Sequence, residues 1–293
     1  MSIFIGSGVA LVTPIDANNK INYNVISDLI DFHLKNDTDA LIINGSTGES
    51  PTISDIEKIE ILKFVVKKVN GKIPVIAGTG TNDTAHAIRT SIDAEKCGVD
   101  ALLVVTPYYN KGNDSGIFDY YKKIAGSVKI PIIIYVVPSR TGVNLSIKLL
   151  KQLAQIENIV AIKDATGNLS YTAQIAAEIP KLDIYSGNDD VAVPVISLGG
   201  KGVISVSANI IPKETHEMAW ASYNNDYDKA RKLQLKYLSL INSLFIEVNP
   251  IPVKEAMNVL GFDVGSCRSP LGPIAEEAKI KIIENLSKNG VKL

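Results

Sequence analysis

Eight short apolar runs punctuate the first two-thirds of the chain, and their spacing constrains the fold more than any other feature. They read GVALVTP from Gly8, DALIING from Asp39, PVIAGTG from Pro74, ALLVVTP from Ala101, PIIIYVVP from Pro131, IVAIKDAT from Ile159, LDIYSGND from Leu182 and GVISVSAN from Gly202. Each is bounded by turn residues and apolar along most of its length, as expected of strands covered on both faces. The segments between them mostly carry helical periodicity, for example SDIEKIEILKFVVKKV at 54–69 and TAHAIRTSIDAEKCG at 84–98. The second closes on Gly98, a good helix stop. Strand–helix alternation implies right-handed parallel crossovers. Eight such units predict an α/β fold closed as a (β/α)8 TIM barrel. The barrel is expected over residues 1–223. Residues 224–293, including YDKARKLQLKYLSLINSLFIE, keep helical spacing and predict a helical C-terminal extension.

The chemistry of such a barrel lies at the C-terminal ends of its strands. The runs end in Thr13, Asn44-Gly45-Ser46-Thr47, Thr79, Thr106, Tyr135, Lys163, Gly187 and Ser207. Hydroxyls, backbone-exposing glycines, one tyrosine and one lysine thus share a single rim. A strand-end lysine can simply lay its stem on apolar surface and hold its ammonium in water. On this rim Lys163 reads instead as a nucleophile, a role open to an amine whose neutral form is favoured by removal from water.

Other chemistries find little support. A formal net charge of −1 with 21% charged residues argues against nucleic acid or an anionic membrane as principal partner, since both demand a basic surface. No apolar run is long enough to span a bilayer. The opening MSIFIGSGVALVTPID lacks the positive region of a secretory signal. The two cysteines, Cys97 and Cys267, have no CxxC spacing, so a cytoplasmic protein with reduced thiols is expected. His33, His86 and His216 are far apart and HEMAW at 216–220 is not HExxH, so neither a metal site nor a cofactor is expected. GTGTND lacks the third glycine of a dinucleotide fingerprint. GGKG at 199–202 precedes the eighth run and belongs to the stabilising face of the barrel. Asp189-Asp190 reads as a helix cap after the seventh run rather than as an acid/base pair.

The motifs GSTGES (45–50), AGTG (77–80), TPYYN (106–110), VPSRTG (137–142), IKDATGN (162–168), SGND (186–189) and GGKGVISV (199–206), taken together and in order, resemble the dihydrodipicolinate synthase family of pyruvate-dependent lyases and aldolases. That resemblance implies condensation of pyruvate with L-aspartate 4-semialdehyde, the first committed step toward diaminopimelate and lysine. It implies that Lys163 forms an imine with pyruvate, that Tyr135, Thr47 and Tyr109 relay protons, and that Tyr109 reaches into a neighbouring subunit's site. Ser46 and Thr47 would hold the pyruvate carboxylate, Arg140 would receive the semialdehyde, and Gly187 and Ile204 would lie near pyruvate through their backbones. The same resemblance implies a homo-oligomer, most often a tetramer of two tight dimers.

The closest competing activities are N-acetylneuraminate lyase and 2-keto-3-deoxy sugar acid aldolase, which share the lysine and tyrosine. Arg140 and the paired tyrosines of TPYYN favour the synthase. An intact Lys163, Tyr135 and Thr47 set argues against a catalytically silent barrel. Two departures from the family stand out. Ser46 occupies a position where many relatives carry threonine, which keeps the hydroxyl. Val136 stands where asparagine is usual; strand alternation predicts that it faces the helices, away from Tyr135. In lysine-inhibited members a cleft uses side chains matching Ser50, Asn82 and Tyr108, with histidine often at positions 55 and 58 and glutamate at 86. Here those three are Asp55, Lys58 and His86, which predicts weak or absent inhibition by L-lysine.

Overall fold

The computed structural model describes residues 2–291. Eight parallel strands close into a barrel in sequence order: β1 (Gly6–Ala10), β2 (Ala40–Ile43), β3 (Val75–Gly78), β4 (Ala101–Val105), β5 (Ile132–Val136), β6 (Ile159–Asp164), β7 (Asp183–Ser186) and β8 (Gly202–Ser205). Strand β1 pairs with both β2 and β8, so no sheet edge is left unpaired. The (β/α)8 architecture expected from the eight runs is the one observed.

The helices are α1 (Tyr23–Lys35), α2 (Asp55–Val69), α3 (Thr84–Lys96), α4 (Asp114–Ala125), a single turn α5 (Pro138–Thr141), α6 (Ile147–Leu153), α7 (Leu169–Glu178), α8 (Ala192–Ser197) and α9 (Pro212–Tyr223). Three more follow: α10 (Tyr227–Ser243), α11 (Ile251–Val259) and α12 (Glu276–Lys288). Local chemistry starts several of them. Asn22, Asp83, Asn113 and Asn168 accept from amides in the first turns of α1, α3, α4 and α7, and Ser54 with Glu57 forms a reciprocal capping box on α2. Turn α5 had no counterpart in the sequence pattern.

Alternation along each strand sorts side chains between two apolar layers. Ile132, Ile134 and Val136 point outward into the layer shared with the helices, whereas Ile133 and Tyr135 point into the barrel beside Ile42, Ile76 and Leu103. Val136 therefore faces the helices, as strand alternation predicts. The N-terminal end of the barrel is plugged by Phe4, which stacks on Tyr185 at 4.3 Å between ring centres and accepts the tyrosine O–H at 2.8 Å. Here β8 approaches β1 so closely that a Cβ at Gly202 would collide with the Gly6 carbonyl. This accounts for the last glycine of GGKG on the stabilising face.

The opposite rim is tied to the last part of the chain. Lys254 of α11, only 1% exposed, places Nζ 2.8 Å from Glu49 Oε1, 3.1 Å from the Thr13 carbonyl and 2.8 Å from the Ser266 carbonyl. Glu49, whose other carboxylate oxygen accepts the Arg268 amide at 2.7 Å, closes the loop after β2. A buried ion pair is tolerated only when its remaining hydrogen bonds are satisfied, and here they are.

Candidate active site

The site begins with register. Tyr135 of β5 and Lys163 of β6 are lateral partners, and both side chains project into the barrel at its C-terminal end. Lys163 Nζ stands 4.4 Å from the centre of the Tyr135 ring, and the two residues are 6% and 8% exposed. The next pair along, Val136 and Asp164, points the other way. The Asp164 carboxylate accepts from Thr166 N and Oγ1 at 2.9 and 2.7 Å and from Thr172 Oγ1 at 2.7 Å. The nearest carboxylate in sequence is thus spent on the helix side, and the lysine faces the tyrosine.

Lys163 and Tyr135 lie at a cavity of about 410 Å³ that Ser46, Thr47, Arg140 and Gly187 also line. Such a volume suits a small substrate. Thr47 is buried in the loop after β2. Arg140, on turn α5, directs Nη2 to the Asn249 carbonyl at 2.8 Å. Gly187 is required by packing: a Cβ there would sit 2.6 Å from that of Ala165.

Two residues singled out from the sequence lie apart from this group. The Ile204 side chain belongs to the inner apolar layer, and Val206, two residues on, lines the cavity. Tyr109 is 90% exposed and adopts a left-handed backbone with φ 70°. It does not line the cavity within its own chain, whereas Tyr108 lines a second one of about 420 Å³ with Ser50, Asn82, Lys58 and His86.

The helix-cap reading of Asp189-Asp190 needs correction. Asp189 is fully buried and reaches across to the next loop, accepting from the amides of Val206 and Ser207 at 2.9 and 3.2 Å and from the Ser205 and Ser207 hydroxyls. Burial pushes its carboxyl up, and these four donors pull it back. It staples the ends of β7 and β8 together and leaves exposed Asp190 without a part in that network.

Sequence reasoning missed the part that the C-terminal extension plays. Phe245, Glu247, Val248 and Asn249, between α10 and α11, line the cavity beside Lys163. Asn249 donates from Nδ2 to Thr47 Oγ1 at 3.0 Å across 202 positions of sequence. The Asn-Pro pair signals a loop, but nothing local points to so distant a partner.

A closed barrel with an inward lysine beneath a tyrosine ring, and hydroxyls on the same rim, defines the class of (β/α)8 lyases. Residues 3–289 match the Dihydrodipicolinate synthetase family, and the chain belongs to that family. It is 50% identical over 292 residues to the 4-hydroxy-tetrahydrodipicolinate synthase of Brachyspira hyodysenteriae, covering 100% of both chains. Among solved structures, the dihydrodipicolinate synthase of Aquifex aeolicus superimposes with a TM-score of 0.97 at 41% identity, covering 99% of each chain. The chloride-inhibited dihydrodipicolinate synthase of Acinetobacter baumannii, complexed with pyruvate, gives a TM-score of 0.96 at 40% identity, covering 98% of this chain and 99% of that one.

Proposed function

We propose that the protein condenses pyruvate with L-aspartate 4-semialdehyde through a Schiff base on Lys163, giving 4-hydroxy-tetrahydrodipicolinate. The observation that carries this reading is the buried Lys163 amine beside Tyr135, in one cavity with Thr47 and Arg140. The amine adds to the keto carbon of pyruvate and water leaves, forming the imine. The protonated imine is an electron sink, so the methyl carbon loses a proton and becomes a nucleophilic enamine. That carbon bonds to the aldehyde carbon, and the aldehyde oxygen gains a proton. The amino group of the second substrate then attacks the imine carbon, closing the ring and releasing Lys163.

Water loss and alkoxide protonation both need a proton carrier, and Tyr135 and Thr47 supply hydroxyls in the cavity. Ser46, with amides of the same loop, receives the pyruvate carboxylate; the backbones of Gly187 and Ile204 flank pyruvate. The Arg140 guanidinium suits the carboxylate of the semialdehyde. Tyr109 completes the relay from a neighbouring subunit, consistent with its exposure, within a tetramer of two tight dimers. Residues 1–223 act as the barrel and 224–293 as a helical extension that finishes the rim. No cofactor enters these steps. With Cys97 and Cys267 as free thiols, and no helix among the described residues long and apolar enough to cross a membrane, the reading places the enzyme in the cytoplasm.

Borohydride reduction in the presence of pyruvate tests the imine by a mass gain on Lys163. A panel of aldehydes tests the second substrate. Turnover with L-aspartate 4-semialdehyde and none with sugar-derived aldehydes is expected; the reverse preference overturns the assignment.

A further inference from the structure

Asn249 holds two elements of the site at once. Its backbone carbonyl accepts from Arg140 and its side-chain Nδ2 donates to Thr47 Oγ1. The side chain is 7% exposed, and its other polar atom, Oδ1, is buried with no hydrogen-bond partner. A buried carbonyl oxygen without a donor costs stability. A side chain serving packing alone would avoid that cost, so Asn249 calls for another explanation.

The chemistry of Thr47 provides it. A hydroxyl offers one proton and two lone pairs, whereas an amide NH2 only donates. With Asn249 Nδ2 occupying one lone pair, Thr47 cannot direct its proton to Asn249. Among the described residues the Thr47 O–H makes no other hydrogen bond with the protein. Its proton is therefore free to point into the cavity that Thr47 and Lys163 line. An acceptor at position 249 would draw the same proton out of the reaction path.

We propose that Asn249 is a positioning residue, whose amide N–H sets the direction in which Thr47 presents its proton. This rests on the proton-relay role proposed for Thr47. The C-terminal extension thereby completes the catalytic machinery.

The test uses Asn249→Ala, Asn249→Asp, Thr47→Val and the double variant Thr47→Val/Asn249→Ala in the full-length enzyme. Turnover, KM for both substrates and the thermal midpoint are measured for each. The backbone carbonyl that holds Arg140 survives in all of them. Asn249→Ala is expected to lower kcat by about tenfold or more, to leave KM for pyruvate within about twofold, and to hold or raise the thermal midpoint. Asn249→Asp, nearly isosteric, is expected to be slow when ionised. Its kcat relative to the native enzyme is expected to rise as the pH falls and the carboxyl regains a proton to donate. The double variant is expected to be no slower than Thr47→Val alone, because residues acting in series are not additive. A fully active Thr47→Val enzyme overturns the relay itself. A slow Thr47→Val enzyme beside native-like Asn249→Ala or Asn249→Asp enzymes overturns only the positioning role, as does a double variant whose losses multiply.

Discussion

Lys163 Nζ stands 4.4 Å from the centre of the Tyr135 ring because the two residues are register partners on adjacent parallel strands. That spacing puts the tyrosine and the carbon bound to the lysine nitrogen within one small cavity. It also makes the lysine hard to replace. Lys163→Ala is expected to abolish borohydride trapping of pyruvate and to reduce turnover by several orders of magnitude. Lys163→Arg is not expected to rescue it, since a guanidinium stays protonated. Normal trapping by the alanine variant would place the nucleophile elsewhere.

Tyr109 is exposed and does not line the Lys163 cavity of its own chain. If it serves a neighbour, Tyr109→Phe lowers kcat by about tenfold or more while pyruvate binding stays largely intact. Sedimentation of the native enzyme at assay concentration is expected to give at least a dimer. A monomer with full activity contradicts the shared site.

The second cavity bears on inhibition by L-lysine. Asp55, the one acidic group among the three departures, lies 2.8 Å from His86 Nε2 and 3.6 Å from Lys58 Nζ. Burial moves the Lys58 amine down, with Asp55 opposing that shift. Asp55 is thus already engaged by two basic groups and is poorly placed to receive an ammonium ligand. Initial rates at saturating pyruvate are expected to change little with millimolar L-lysine. Half-inhibition below about 1 mM, near 4 kcal/mol of binding, would show a working cleft.

Lys254→Met leaves the buried Glu49 carboxylate without its ammonium partner. Breaking one side of such a pair costs about 3–5 kcal/mol, whereas replacing both by apolar groups is far milder. Urea midpoints are expected to fall sharply for Lys254→Met and to recover substantially in Lys254→Met/Glu49→Leu. Equal stability of Lys254→Met and the native chain contradicts this account.

His33 is fully buried, and burial lowers its pKa to about 3 from an ordinary 6.5. The folded chain keeps the ring neutral where the unfolded chain binds a proton. The stability at stake is fully present above pH ~6.5 and declines as the pH falls, by about 1.4 kcal/mol per unit for one proton. His33→Gln is expected to flatten the acid limb of stability against pH by that slope between pH 6 and 4 (roughly the range in which the unfolded ring is charged). An unchanged slope contradicts the assignment.

The sequence alone determined the barrel, because a closed parallel sheet buries both faces and must repeat an apolar run and a helix eight times. Lys163, Tyr135 and the hydroxyls were legible for a related reason. Each lies at the end of a strand or in the loop just after one, and the C-terminal ends of a parallel barrel converge on one rim whatever the intervening helices contain. Even the outward aim of Val136 followed from alternation with period two. Tertiary structure decided the rest. Asp189 has the local sequence context of a helix cap, yet its carboxylate serves amides of the loop after the next strand. Asn249 and Lys254 lie in a segment that shows only helical spacing and a turn, and their partners are Thr47 and Glu49, over two hundred residues earlier. Periodicity reports which way a side chain faces within its own element. Which distant group it meets depends on how the last helices fold back over the rim, and that is set by packing across the whole molecule.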